Sequence, residues 1–379
     1  MIPIFRHLTT PVVLAVVLSL AAACTADPPR STSAGPLTGV CPDPVVVQAD
    51  WHPEAEQGAL FELLGRSGYD VDSEAELVRG RLVARGEDMG VDLEIRSGGE
   101  AIDYRTVAAE LYRDLDILLG IVVTDQAIVA FDEHPTIGVV ALLDVDPMMV
   151  MWDPARFDVD TIADLPADTV VNVFGPAPYL DHLVAAGIID ATQIDPRHTG
   201  TPERFVESGG SFAQQGYATA DPYIYEQLTD EWERPVRFQL IHDTGWEVYG
   251  GSLVGRPDTL DEAGDCLELL VPLVQQALVD YVDDPESSNE LIARLADRYD
   301  AGWRYDRDLA RFAARQQVEL GIVGNGHNAT VGDFDLDRVE RLIERARQVI
   351  GVGPTLTADR LVTNRFVDPE IGLPDRDAG

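Results

Sequence analysis

The sequence predicts a two-lobed α/β protein, and three observations lead to that fold class. From residue 43 onward, short β-branched runs alternate with stretches of helical period, the order expected of an α/β protein. A second α/β unit begins after Asp146-Pro147 and ends near residue 247. The remainder is mostly helical, so the chain goes back to its first unit after the insertion. This order requires two crossings, near residues 144–150 and 243–252. The expected organisation is a leader at 1–23, an N-terminus and tether at 24–42, lobe I at 43–146, lobe II at 147–247 and a helical return to lobe I at 248–379. Each lobe carries a mixed sheet flanked by helices, with a cleft at the hinge.

The elements follow in order. Residues 45–49 (VVVQA) form a buried strand, and 56–67 (EQGALFELLGRS) the helix after it. Residues 91–96 alternate as a second strand that stops at Ser97-Gly98-Gly99, and 104–114 has helical period. A third strand at 117–123 leads through Thr124-Asp125 into a helix; 136–143 is a fourth, and 148–152 continues extended. In the second unit, a helix at 161–165 precedes a strand at 169–174, and Gly175-Pro176-Ala177-Pro178 opens a helix at 179–186. A short helix at 202–208, a strand at 213–219 and a last strand at 237–242 complete it. Helices at 261–281, 288–299, 309–320 and 335–350 repeat their aliphatic positions at three and four, as one buried face requires.

The N-terminus has the layout of an export signal: Arg6, an apolar core at 11–23, then small residues. The core is shorter than the ~20 residues a helix needs to cross a bilayer. Leu20-Ala21-Ala22-Ala23-Cys24 resembles a bacterial lipobox, with Ala21 where such boxes usually carry Leu. That resemblance implies acylation of Cys24, which anchors the exported protein by lipid to the outer face of the cytoplasmic membrane. Residues 25–36 are small, polar and Pro-rich, the composition of a flexible tether. With Cys24 lipidated, Cys41 and Cys266 remain, either as one disulfide or as two buried thiols.

The formal net charge is -38, from 66 acidic residues against 28 basic ones, and every basic residue is arginine. A chain without a basic stripe is no partner for nucleic acid. Acidity of this kind speaks to solubility and names no ligand.

At residues 46–58 the pattern becomes specific. The run VVQADWHPEAEQG resembles the first strand and loop of the thiamine-pyrimidine-precursor family, in which strand, Asp-Trp, Pro, an acidic or amide pair and Gly recur. Residues 114–125 (DLDILLGIVVTD) and 214–225 (QQGYATADPYIY) resemble later strands of the same family. The resemblance covers about residues 43–350. It implies the type II periplasmic-binding-protein fold shared with the taurine, nitrate and sulfonate binders, and lobe closure on a ligand at the hinge. The implied role is the solute-binding lipoprotein of an ABC importer, a monomer whose partners are the solute, the permease subunits and the membrane. A thiamine pyrimidine precursor is the first choice of ligand, riboflavin or another planar heterocycle the second, and a sulfonate or nitrate anion the third.

In open α/β sheets ligands lie at the carboxyl ends of strands, where Asp50, Trp51, Thr124, Asp125, Phe174, Gly175 and Asp221 fall. Trp51, Tyr104, Tyr179 and Tyr223 offer flat faces for a ring. Asp50, Asp125 and Asp221 can accept from ring amino groups or pair with a protonated ring nitrogen. Gly175 and its neighbours offer backbone N–H groups at a helix start. Helix capping for Asp50 and Asp125, turn initiation for Asp221 and ordinary packing for the aromatic residues stay open beside these roles. Catalysis has little to stand on. The related pyrimidine synthases use a reactive histidine and an almost contiguous cysteine run; here Gln57 stands at the histidine's place, with His52 nearby, and the cysteines are scattered. No metal-spaced cluster or phosphate loop occurs, so neither a metal nor a cofactor is expected.

Overall fold

The computed structural model describes residues 34–374. Cys24 and the leader lie outside the described residues. The expected tether ran to residue 42, but from residue 34 the chain is already folded. Leu37 is fully buried, and its N–H donates to Met89 O at 2.9 Å. Cys41 is joined to Cys266 by a disulfide with a Cα–Cα distance of 4.8 Å, which ties this N-terminal segment to the helix Gly264–Asp283. Among the described residues no helix is long and apolar enough to cross a membrane.

Two mixed sheets, both flanked by helices, organise the chain. The larger has seven strands in the order β2-β3-β4-β1-β5-β12-β6. They are β1 (Val45–Gln48), β2 (Asp70–Asp72), β3 (Leu77–Ala84), β4 (Glu87–Arg96), β5 (Leu119–Val122), β6 (Ile137–Leu143) and β12 (Gly251–Gly255). β1 runs parallel to β4 and β5, so these three strands end on the same side. The smaller sheet is built from β7 (Met148–Trp152), β8 (Val171–Asn172), β9 (Ile194–Asp195), β10 (Ala213–Tyr217) and β11 (Arg237–Leu240), in the order β11-β7-β10-β8-β9. The chain changes sheet between Leu143 and Met148, and again between Leu240 and Gly251.

The sheets share a core. Strand alternation places Val150 and Trp152 of β7 in a cluster with Val107, Leu111 and Ile128 of the first sheet's helices, while Met149 and Met151 face Phe205, Tyr225 and Trp232. On the far face of the larger sheet, helices Gly264–Asp283, Glu286–Tyr299 and Arg307–Glu319 supply the remaining core. The last of these starts at Asp306, whose side chain accepts from Asp308 N and Leu309 N.

Four strands, β2, β3, β9 and β12, depart from the sequence expectation, and β3 and β12 are the longest of them. No strand was expected between the first helix and residue 91, yet β3 alternates buried and half-buried positions and pairs antiparallel with β4. Its turn is Arg85-Gly86, both at positive φ, the twist a two-residue hairpin needs. The return was expected to be helical from the crossing onward. Instead Gly251–Gly255 inserts between β5 and β6 as a fully buried central strand, antiparallel to both. The expected helix at 56–67 is also shorter: a turn at Ala55–Gln57 continues as Gly58–Glu62.

Candidate functional site

The carboxyl ends of β1 and β4 are fastened to each other. The Gln48 side-chain amide donates to Ala49 O at 3.0 Å and to Ser97 O at 2.8 Å. Gly98 N donates to Trp51 O and Gly99 N to Asp50 O, so the two loops run in contact. Gly98 permits this approach: a Cβ there would sit 2.3 Å from the Asp50 carbonyl carbon. The loop after β1 thereby projects Asp50, Trp51, Glu54 and Glu56 from the end of the sheet.

Rings buttress that loop. Trp51 lies edge-on to His52 at 5.3 Å and to Trp303 at 6.2 Å, with Tyr104 tilted at 6.3 Å. His52 stacks on Trp303, which stacks on Tyr305, and the Tyr305 hydroxyl accepts from Ala55 N. His52 Nδ1 is 3.3 Å from Glu76 Oε2. Tyr104 is held at positive φ and is 62% exposed. The helical return therefore shapes the β1 loop from behind through Trp303, a residue that sequence reasoning did not single out.

Thr124 and Asp125 open the helix Thr124–Ala130 and bind the second crossing. Thr124 Oγ1 accepts from Tyr249 N at 2.9 Å, and Trp246 Nε1 donates to Asp125 Oδ2 at 3.0 Å. On the smaller sheet, Gln215 Oε1 accepts from both Phe174 N and the Tyr179 hydroxyl. Phe174 is 53% exposed, whereas Tyr179 is buried. A Cβ on Gly175 would meet open space. Asp221 folds back under β10 and accepts from Tyr217 N at 2.6 Å. Tyr223 stands apart from these groups: its ring packs on Phe312 at 5.4 Å, against the core of the larger sheet.

The electrostatics distinguish the site. Burial pushes the Asp50 carboxyl up to about 6, Asp146 up to about 7 and Asp221 up to about 6. Burial likewise raises Glu54, Glu56 and Asp125. The groups also act on one another: Asp146 feels Asp125 and Asp50, and Glu54 feels Glu56 and Asp50. The Tyr179 and Tyr217 hydroxyls, raised in turn, both feel Asp146. Tyr217 is 43% exposed, while its hydroxyl feels the charges of Asp146, Asp50 and Glu54. Residues of both sheets and of the first crossing thus act on one another electrostatically. Of these, Asp50, Asp125 and Tyr179 are among the expected ligand contacts, whereas Asp146, Tyr217, Glu54 and Glu56 are not.

The crossings share a clamp. Arg338, buried on the helix Leu336–Val349, donates to Asp144 Oδ1 and O in the first crossing and to Glu247 O and Val248 O in the second. Its guanidinium also lies 4.0 Å from the Tyr249 ring centroid. A separate groove of about 360 Å³, lined by Val129, Phe131, Pro176, Pro178, Asp181 and Val352, adjoins the start of the helix Pro178–Ala185.

No protein-family model matches the sequence, and no curated protein matches it. Solved structures do match its fold. One is the periplasmic aliphatic sulphonate binding protein SsuA from Escherichia coli, at 13% identity over 86% of this chain and 99% of that one, with a TM-score of 0.53. The alkanesulfonate-binding protein SsuA from Xanthomonas axonopodis pv. citri, bound to MOPS, aligns at 11% identity over 85% and 99%, with a TM-score of 0.52. The nitrate-binding protein NrtA from Synechocystis PCC 6803 aligns at 11% identity over 86% and 88%, with a TM-score of 0.52. The chain has the two-sheet fold of the periplasmic solute-binding proteins.

Proposed function

We propose that the protein is the extracytoplasmic solute-binding component of an ABC importer, anchored by lipid at Cys24, and that it binds without catalysis. The solute is small, planar and nitrogenous, of the thiamine pyrimidine precursor kind, and is held where the ends of β1 and β5 meet β10 and the first crossing. The observation behind this reading is that burial raises Asp50, Asp125 and Asp146 at or near strand ends and that the Asp146 charge acts on the Tyr179 and Tyr217 hydroxyls, which puts hydrogen-bond acceptors and aromatic residues in one electrostatic neighbourhood. Trp51 and Tyr104 extend the aromatic wall. Closure of the two sheets on the solute would form the face the permease reads, provided the solute favours the closed state.

A sulfonate or nitrate ligand is less well supported. The arginines nearest the expected contact loops are already engaged: Arg96 pairs with Glu94 and Asp114, and Arg105 with Asp103 and Glu110. The pyrimidine-synthase reading lacks its chemistry, since two of the three cysteines are joined as Cys41–Cys266. Thermal-shift screening of pyrimidines, flavins, sulfonates and amino acids tests the proposal. A rise in Tm with a planar nitrogen heterocycle is expected, and a rise only with sulfonates would replace it.

A further inference from the structure

Resting on the solute-binding reading, we infer that Gln215 is a specificity-determining residue whose side-chain NH2 group donates to an acceptor of the solute, a ring nitrogen or a carbonyl in the ring plane. Two glutamines stand side by side on β10, and strand alternation sends them to opposite faces. Gln214 is fully buried and committed to the core: its Oε1 accepts from Asn172 Nδ2 at 3.0 Å, and its Nε2 donates to the Tyr225 hydroxyl at 2.6 Å. Gln215 shares its face with Ala213 and Tyr217. Along that face the strand passes from Ala213, in the core shared by the two sheets, through half-buried Gln215 to the partly exposed Tyr217. The strand then ends against the first crossing, where Ala218 N donates to Pro147 O at 2.9 Å. Gln215 is thus the residue at which the shared core gives way to the strand-end surface.

The direction of the Gln215 amide is fixed by chemistry. Phe174 N is a backbone N–H and can only donate, so the atom 3.0 Å from it is the amide oxygen, and the two ends of the amide cannot be exchanged. The same oxygen takes the Tyr179 hydroxyl proton at 2.9 Å. Two donors fill the lone pairs of that oxygen and turn Nε2 away from both. Among the described residues Nε2 has no protein acceptor, and it is open to solvent. Water can satisfy it in the empty protein, so the fold needs no ligand there. What the geometry supplies is a donor whose direction is set before the solute arrives, which lowers the ordering cost of binding. Phe174, 53% exposed, is tied to the same oxygen, so an apolar ring and a directed donor stand together at this end of the smaller sheet.

The test uses the full-length protein purified in detergent and two probes, an aminomethyl-pyrimidine and its benzene counterpart, in which CH replaces each ring nitrogen. Binding is read by calorimetry at pH 8. The wild-type protein should bind the pyrimidine on the order of tenfold more tightly than the counterpart. Gln215→Glu keeps an oxygen for Phe174 N and the Tyr179 hydroxyl but replaces the outward donor with an acceptor, so the preference should fall to about twofold or less. Both probes carry the same aminomethyl group, so the added carboxylate charge cancels in the ratio. A purely structural role predicts another pattern: Gln215→Glu would keep the preference, and only Gln215→Met, which strips the oxygen, would disturb the protein. That pattern, or equal binding of both probes by the wild type, would overturn the inference and leave the solute-binding role standing. Should Gln215→Glu melt well below the wild type, NMR of the wild type decides. Its Gln215 side-chain amide resonance should shift when the pyrimidine binds, and an unmoved resonance would overturn the inference. Failure of every planar heterocycle to bind would instead remove the solute-binding reading, and the inference with it.

Discussion

Acids are plentiful both along β3 and β4 and in the cleft at the strand ends, but the two regions treat them differently. On the hairpin, Arg81 bonds Asp88 at 2.7 Å and Asp92 at 3.0 Å, and Arg79 reaches Asp92 from the side. The Arg81 guanidinium holds Asp88 below the usual carboxylate range. Arg197 and Arg204 likewise lower Asp195 to about 2. In the cleft, burial dominates and drives Asp50, Asp146 and Asp221 the other way. The same residue type is paired with arginine in one place and is held by neutral donors and burial in the other. A highly acidic composition locates no binding site, whereas acids whose titration is shifted by burial point to a candidate one.

Substitutions can break this contrast from either side. The largest effect is expected at Arg338, whose guanidinium joins the two crossings. Arg338→Met leaves Asp144 and the carbonyls of Glu247 and Val248 unmet and should cost about 3–5 kcal/mol in urea unfolding. Next, Arg81→Met removes the partner shared by Asp88 and Asp92 but spares Arg79. A loss of about 1–3 kcal/mol is expected, together with a rise in the Asp88 pKa measurable by NMR titration.

Removing an unmatched acid should do the opposite. Asp146 is raised from 3.8 to about 7 in the folded protein. A group that binds its proton more tightly when folded contributes stability that is complete below its unfolded pKa and lost as pH rises through the folded value. The native protein should therefore lose stability between pH 4 and pH 7. Asp146→Asn should flatten that slope, gaining about 1–2 kcal/mol at pH 8 and almost nothing at pH 4, as read by melts across the range. Asp50, Asp125, Tyr179 and Tyr217 are the titratable groups around Asp146, so part of the slope will survive in the variant. The smallest change is expected of Tyr217→Phe. The residue is 43% exposed and its hydroxyl closes no bond that holds the fold among the described residues, so stability should stay within about 0.5 kcal/mol while binding of the aminomethyl-pyrimidine weakens a few-fold.

Much of the fold could be read from local pattern because its elements keep their own periods. The long helices of the return and the parallel strands β1, β4 and β5 appear close to where alternation and helical spacing put them. β3 escaped because Gly80 interrupts its apolar face and Arg85-Gly86 is a weaker hairpin signal than Asn-Gly. β12 escaped because Gly251-Ser252-Leu253-Val254-Gly255 is short and bounded by glycines; only insertion between β5 and β6 makes it a strand.

The site divides in the same way. Asp50 and Asp125 were visible as strand-end residues, and Tyr179 as an aromatic at a helix start. Asp146 read only as the boundary before the second unit, and Tyr217 as a strand residue, because the charged neighbours that distinguish them are distant in sequence. The missed signal was an acid beside a sheet crossing with no arginine close in sequence. Tyr223, expected to offer a flat face for a ring, instead packs that ring on Phe312, a contact set by tertiary packing and not by local sequence.

The most direct measurement is the proton count on binding. Calorimetry of the aminomethyl-pyrimidine near pH 6.5, repeated in buffers of different ionisation enthalpy, reads the protons exchanged. A solute whose protonated nitrogen pairs with Asp50 and Asp146, raised to about 6 and about 7, must displace the protons they hold when the site is empty, so net proton release is predicted, along with tighter binding from pH 5 to pH 8. Binding with no proton release, or binding that weakens as pH rises, would contradict the account.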